Sequence, residues 1–108
     1  MTTKAEMLKD IEYTEAKLID NNTVRYTCPN GDVVIRLHLT DILIFRKDGS
    51  ITFNSDDYQT VTTKNRMNEY QDIGRVFQKD YAWYIMVDET CYDYFDGITF
   101  KDGKELKK

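Results

Sequence analysis

The chain has one histidine, one proline and two cysteines among 108 residues, and each scarcity removes a class of chemistry. With His38 alone, a metal site built on two histidines is excluded, and a histidine-carboxylate-nucleophile arrangement would have to form around that single ring. The Thr40-Asp41 that follows gives no such geometry, so the simpler expectation is a strand histidine bonded to Asp41 or to a neighbouring strand. Cys28 and Cys91 fall in different expected strands with no C-x-x-C partner, which leaves both zinc and redox readings without their spacing; free thiols are expected over a long-range disulfide. A P-loop, a GxGxxG turn and a nucleophile elbow are all missing. The expectation is a non-enzymatic protein with no catalytic residue, no metal and no cofactor.

Long apolar runs are missing as well. No window approaches the roughly 20 apolar residues that cross a bilayer, and the N-terminus lacks the charged head and apolar middle of a signal peptide, which points to the cytoplasm and away from a membrane. Nineteen acids against fifteen bases leave a net charge of −4, which argues against affinity gained by neutralising phosphates. Direct nucleic-acid binding is therefore the less favoured reading.

What is present is aromatic area. Eight Tyr, five Phe and one Trp within a 41% hydrophobic composition support one core, hence a single domain over residues 1–108. Thr3-x-x-Glu6 has capping-box spacing and predicts an N-terminal helix within residues 1–20, ended by Asn21-Asn22. Alternation over Thr23–Cys28 and Val33–Leu39 around Pro29-Asn30-Gly31-Asp32 predicts a hairpin, with Val33, Ile35, Leu37 and Leu39 on the core face and Val34, Arg36, His38 and Thr40 on the other. Ile42–Phe45 is apolar on both faces, and Lys47-Asp48-Gly49 turns the chain into Ser50–Asn54. From Thr60 the spacing of Thr63, Met67 and Tyr70 becomes helical, with Thr60 or Thr62 as N-cap, giving a second helix near 60–71. Strands are expected again at Val76–Gln78, Tyr81–Val87, Tyr92–Phe95 and Ile98–Phe100, before a basic tail over 101–108 that frays. The resulting expectation is an α+β fold with one antiparallel sheet of about five to six strands, in which 33–39, 42–46, 50–54 and 81–87 pair. Trp83 is expected in the core.

The segments RLHLTDI (36–42), DGSI (48–51), TVTTKNRMN (60–68), WY (83–84) and FDG (95–97) follow one another in an order that resembles a family of small bacteriophage-encoded proteins. The likeness covers roughly residues 24–100, and Thr60–Asn68 is its most distinctive element. It implies a phage origin, hence the cytoplasm of an infected bacterial host, and it raises host-directed or anti-defence binding, including inhibition of a CRISPR effector. No site residue follows from it. This chain departs from the family pattern at Ser55-Asp56-Asp57-Tyr58, where relatives have Gly-Gly-Trp, and at the acidic, Tyr-rich Asp88–Tyr94.

Two surfaces compete as binding sites. Between Asp80 and Phe100 lie five carboxylates and no Lys or Arg, interleaved with aromatics. Tyr81, Tyr84, Asp88, Glu89, Tyr92, Asp93 and Tyr94 therefore form the candidate protein-binding set, suited to a basic, nucleic-acid-binding host protein through salt-dependent steering. A solvated acidic edge over core aromatics is the plainer reading of the same residues. The alternative is an anion site at the second helix start, where free amides and Thr62, Thr63, Lys64 and Arg66 would converge, assisted by Arg75; an ordinary capped helix has the same appearance.

Overall fold

The computed structural model describes residues 3–106, and over them every strand pairing is antiparallel. After the short helix α1 (Lys4–Leu8), a five-strand meander runs through β1 (Glu15–Asp20), β2 (Thr23–Thr27), β3 (Val33–Leu37), β4 (Thr40–Phe45) and β5 (Ile51–Phe53). The chain then leaves the sheet for α2 (Val61–Glu69) and a separate meander of β6 (Gly74–Lys79), β7 (Ala82–Val87) and β8 (Thr90–Asp93). It returns as β9 (Thr99–Lys101) beside β5, followed by β10 (Lys104–Glu105), so the large sheet has the order β1-β2-β3-β4-β5-β9-β10 and the small one β6-β7-β8.

One core lies between the sheets. Ile35, Leu37, Ile42, Leu43 and Phe53 of the large sheet pack with Met67 of α2 and with Val76, Trp83, Ile85 and Val87 of the small sheet. A second, smaller core occupies the opposite face of the large sheet, where Met7 and Leu8 of α1 cover Val24, Tyr26 and Val34. Strand β3 is thus buried on both faces. This overturns the expected in-out division: Val34 and Arg36 are buried with Ile35 and Leu37, whereas Leu39 is 59% exposed because the strand ends at Leu37 and turns at His38.

Three further expectations are corrected. The N-terminal helix stops at Leu8 instead of filling 1–20, because residues 15–20 pair with β2 through the Asn21-Asn22 turn, and ladder hydrogen bonds outweigh the helical propensity of Glu15, Ala16, Lys17 and Leu18. Strand β7, containing most of 81–87, belongs to the small sheet and not with β3, β4 and β5; the described residues form ten strands in two sheets. The described part of the 101–108 tail is a hairpin, β9 to β10, turning at Asp102-Gly103 with φ of 53° and 77°, the left-handed pair that an Asp-Gly dipeptide favours. Residues 107 and 108 lie outside the described residues.

Other local signals act as read. Thr3 and Glu6 form the complete capping box, and Thr60 Oγ1 accepts the Thr63 amide at 3.1 Å as the cap of α2. Trp83 is 6% exposed and meets the Tyr94 ring edge-on at 5.4 Å.

Candidate protein-binding surface

The residues that carry the family resemblance hold the fold together. Arg36, 5% exposed, grips Asp10 with two hydrogen bonds of 3.2 Å, donates to the Leu39 carbonyl and faces Asp41 at 3.4 Å. Asp41 in turn accepts the Tyr26 hydroxyl at 3.0 Å; its burial pushes its carboxyl up while Arg36 pulls it down, and the bonds from Arg36 hold Asp10 below the ordinary carboxylate value. His38 has no part in this network: its side chain is exposed and its backbone is left-handed at φ 53°, so the expected bond to Asp41 is absent. Asp48 accepts both the amide and the hydroxyl of Ser50, closing the β4–β5 turn.

Helix α2 is committed in the same way. Its Asn68 side chain accepts the Val76 amide and donates to the Val76 carbonyl, each at 2.8 Å, standing in for a neighbouring strand along the edge of β6. Gln71 does likewise for Gly74, donating to its carbonyl at 2.8 Å and accepting its amide at 3.0 Å. Gly74 itself admits no side chain, since a Cβ there would lie 2.6 Å from the Met86 carbonyl oxygen. Arg66 pairs with Asp20 at 3.0 Å and Glu69 at 2.9 Å, which removes it from the anion site proposed at the helix start. Of the other members of that set, Thr63 is buried and its amide donates to the Thr60 hydroxyl, and Thr62 lines a groove of about 490 Å³ with His38, Leu39, Tyr58 and Thr60. Lys64 is half-buried and Arg75 lies on β6, away from the helix start.

Asp96 organises the loop before α2. It accepts the Ser55 amide (2.8 Å), the Ser55 hydroxyl (2.7 Å), the Asp57 amide (2.9 Å) and the Tyr94 hydroxyl (2.9 Å). Partial burial works to raise its carboxyl, but these donors outweigh it and leave the group below the usual value. Tyr94, 9% exposed, is therefore a core residue and not a contact residue, and burial first and Asp96 second push its phenol well up.

The remaining acidic and aromatic residues divide. Tyr92 turns inward, half-buried, with its ring 5.1 Å from Phe100. Tyr81 is 97% exposed in the β6–β7 turn, and Asp88 and Glu89 form the β7–β8 turn at the other end of β7. Asp88 also packs its carboxylate on Gly103, where a Cβ would collide. Tyr84 and Asp93 are register partners and, with Phe77 opposite Tyr84, occupy the face of the small sheet turned away from the core. There Phe77 and Tyr84 stack at 5.6 Å and 27°, with exposed Met86 beside them. Arg75 and Lys79 flank this seam along β6, Asp93 flanks it on β8, and Glu89 stands in the β7–β8 turn at its end. Phe77 and Met86 escaped the sequence reading, although period-two alternation with Tyr84 places both on this face once the β6–β7 register is known.

Among the described residues, no cluster of three or more His, Cys, Asp or Glu side chains is placed to hold a metal, and no helix is long and apolar enough to cross a membrane. Cys28 is partly buried and Cys91 exposed, and both are free; burial pushes the Cys28 thiol up.

Fold and surface together define a small α+β protein of two antiparallel sheets, with its motif residues engaged in structure and an aromatic seam left open on the smaller sheet. Residues 2–106 match the Kyanoviridae Gp96 protein family, and the chain belongs to that family of small bacteriophage proteins. No curated protein and no solved structure matches it.

Proposed function

We propose that this phage accessory protein is non-enzymatic and acts by binding and inhibiting or redirecting a host protein through the outer face of its small sheet. The observation that carries this reading is the Phe77–Tyr84 stack on the outer face of the small sheet, both rings only half-buried. Burying two stacked rings and Met86 on a partner would supply the apolar centre of an interface, and aromatics are the side chains that most often anchor one. The acidic side, Asp93 and Glu89, suits a basic partner and gives a salt-dependent encounter. Anti-defence inhibition is the form this takes in a phage setting, and CRISPR effectors, which are basic and bind nucleic acid, are the first partners to test. The strained, fully exposed Tyr81 extends the surface at the far end of β7.

The test is capture from host lysate with the tagged protein, with and without nuclease. Tyr84→Ala and the pair Glu89→Lys with Asp93→Lys should each reduce capture of a discrete host protein, the charge pair most strongly at low salt, while Lys64→Ala leaves it intact. Capture that disappears with nuclease and depends on Lys64 would replace this reading with nucleic-acid or anion binding at the start of α2.

A further inference from the structure

We propose that a second surface, a trough on the inner face of the large sheet, binds an acidic, apolar peptide segment of a partner. This is independent of the small-sheet reading. The small sheet and α2 cover only part of the large sheet's inner face; toward β1 and β2 an open hollow of about 480 Å³ remains, lined by Ile19, Arg25, Val33, Ile35, Phe45 and Tyr70. Five of the six are apolar or aromatic, and Ile19, Val33, Phe45 and Tyr70 stay only half-buried although they adjoin the core. A hollow of this size takes one or two large apolar side chains.

Charge selects the occupant. Arg25 and Lys17 are direct cross-strand partners, so both side chains leave the same face, and both are exposed. Among the described residues neither has a carboxylate within 4.0 Å. The acid two residues along β1, Glu15, instead accepts the Thr27 hydroxyl at 3.4 Å. Like charges placed opposite each other repel, so in a chain of net charge −4 this bare pair of cations beside an apolar hollow is stabilised by an anion arriving from outside. At the other rim, beyond Tyr70, stand Asp72 and Glu69, the latter partly neutralised by its pair with Arg66 at 2.9 Å. They orient the guest: its Asp or Glu meets Arg25 and Lys17 while its apolar side chain enters the hollow. A nucleic-acid strand would bring phosphates past Glu69 and Asp72 and is disfavoured.

The experiment titrates the isotope-labelled full chain with the peptide EFDLE, its neutral counterpart QFNLQ and an oligothymidylate, following amide shifts by NMR. EFDLE should move the signals of Val33, Ile35, Phe45 and Tyr70, with QFNLQ weaker by about ten-fold or more, since the charge pairing is lost. Lys17→Glu with Arg25→Glu should weaken EFDLE by a similar factor with unchanged circular dichroism. Tyr84→Ala should bind EFDLE as the parent does, which separates this site from the small-sheet surface. Four results would overturn the proposal: shifts mapping elsewhere, equal binding by the charge-reversed pair, displacement of EFDLE by oligothymidylate, or no shift at millimolar peptide.

Discussion

Asp96 shows how much one carboxylate can organise. Four donors converge on it, so Asp96→Ala should destabilise by about 2–3 kcal/mol, the range for losing hydrogen bonds to a charged acceptor, read from urea denaturation. Its pKa is depressed from 3.8, so the stability it contributes is present above that value and is lost as pH falls through the lower folded value. The parent's urea midpoint should therefore drop on acidification below about pH 4, and that of Asp96→Asn should drop less. Tyr81 is the opposite case. Asp80 and Tyr81 are both left-handed, at φ 52° and 69°, in a turn that Asn and Gly favour, and a bulky residue there is strained. Tyr81→Gly should raise stability by about 1 kcal/mol or more, and capture of the host partner should fall in the same variant. If stability rises and capture is unchanged, the ring has no part in binding.

Among the elements, α2 does unusual work for a helix of nine residues. It is capped by Thr60, packs Met67 in the core and closes the β6 edge with Asn68, so the distinctive TVTTKNRMN segment is explained by its place between two sheets. Asn68→Ala should destabilise by about 1–3 kcal/mol, because the Val76 amide and carbonyl lose their partner. Hydrogen exchange should then speed up at Val76 more than at Ile85, whose strand keeps neighbours on both sides. Retained protection at Val76 would mean the edge does not depend on this side chain. The acidic stretch 80–100 gives a parallel lesson. Its charge and aromatic content are plain in the sequence, but strand alternation and two turns scatter it, sending Tyr92 and Tyr94 inward and setting Tyr81 apart from Asp88 and Glu89.

At the scale of the molecule, the two sheets are joined through one core, with Trp83 of the small sheet and Phe53 and Phe100 of the large one among its members. Trp83→Ala should cost about 3–5 kcal/mol in urea denaturation. Normal unfolding with loss of capture would instead make Trp83 an interface residue. The capping box of α1, the Thr60 cap of α2, the hairpin turns, the antiparallel pairing and the burial of Trp83 were all legible in the sequence, because each rests on interactions within a few residues or on a side chain too large and apolar to leave in water. The lysine-rich tail predicts fraying, and the β9–β10 hairpin at Asp102-Gly103 overrides it. Only the tertiary structure decided that residues 15–20 are an edge strand, that β7 leaves the large sheet, that β3 is buried on both faces, and that Arg66 is tied to Asp20. Those outcomes depend on partners far along the chain: β2 for residues 15–20, α1 for the outer face of β3, and the β1–β2 turn for Arg66. Local spacing carries no record of them, and the same holds for both candidate surfaces, since Phe77 beside Tyr84 and Lys17 beside Arg25 become neighbours only when the strand register is set.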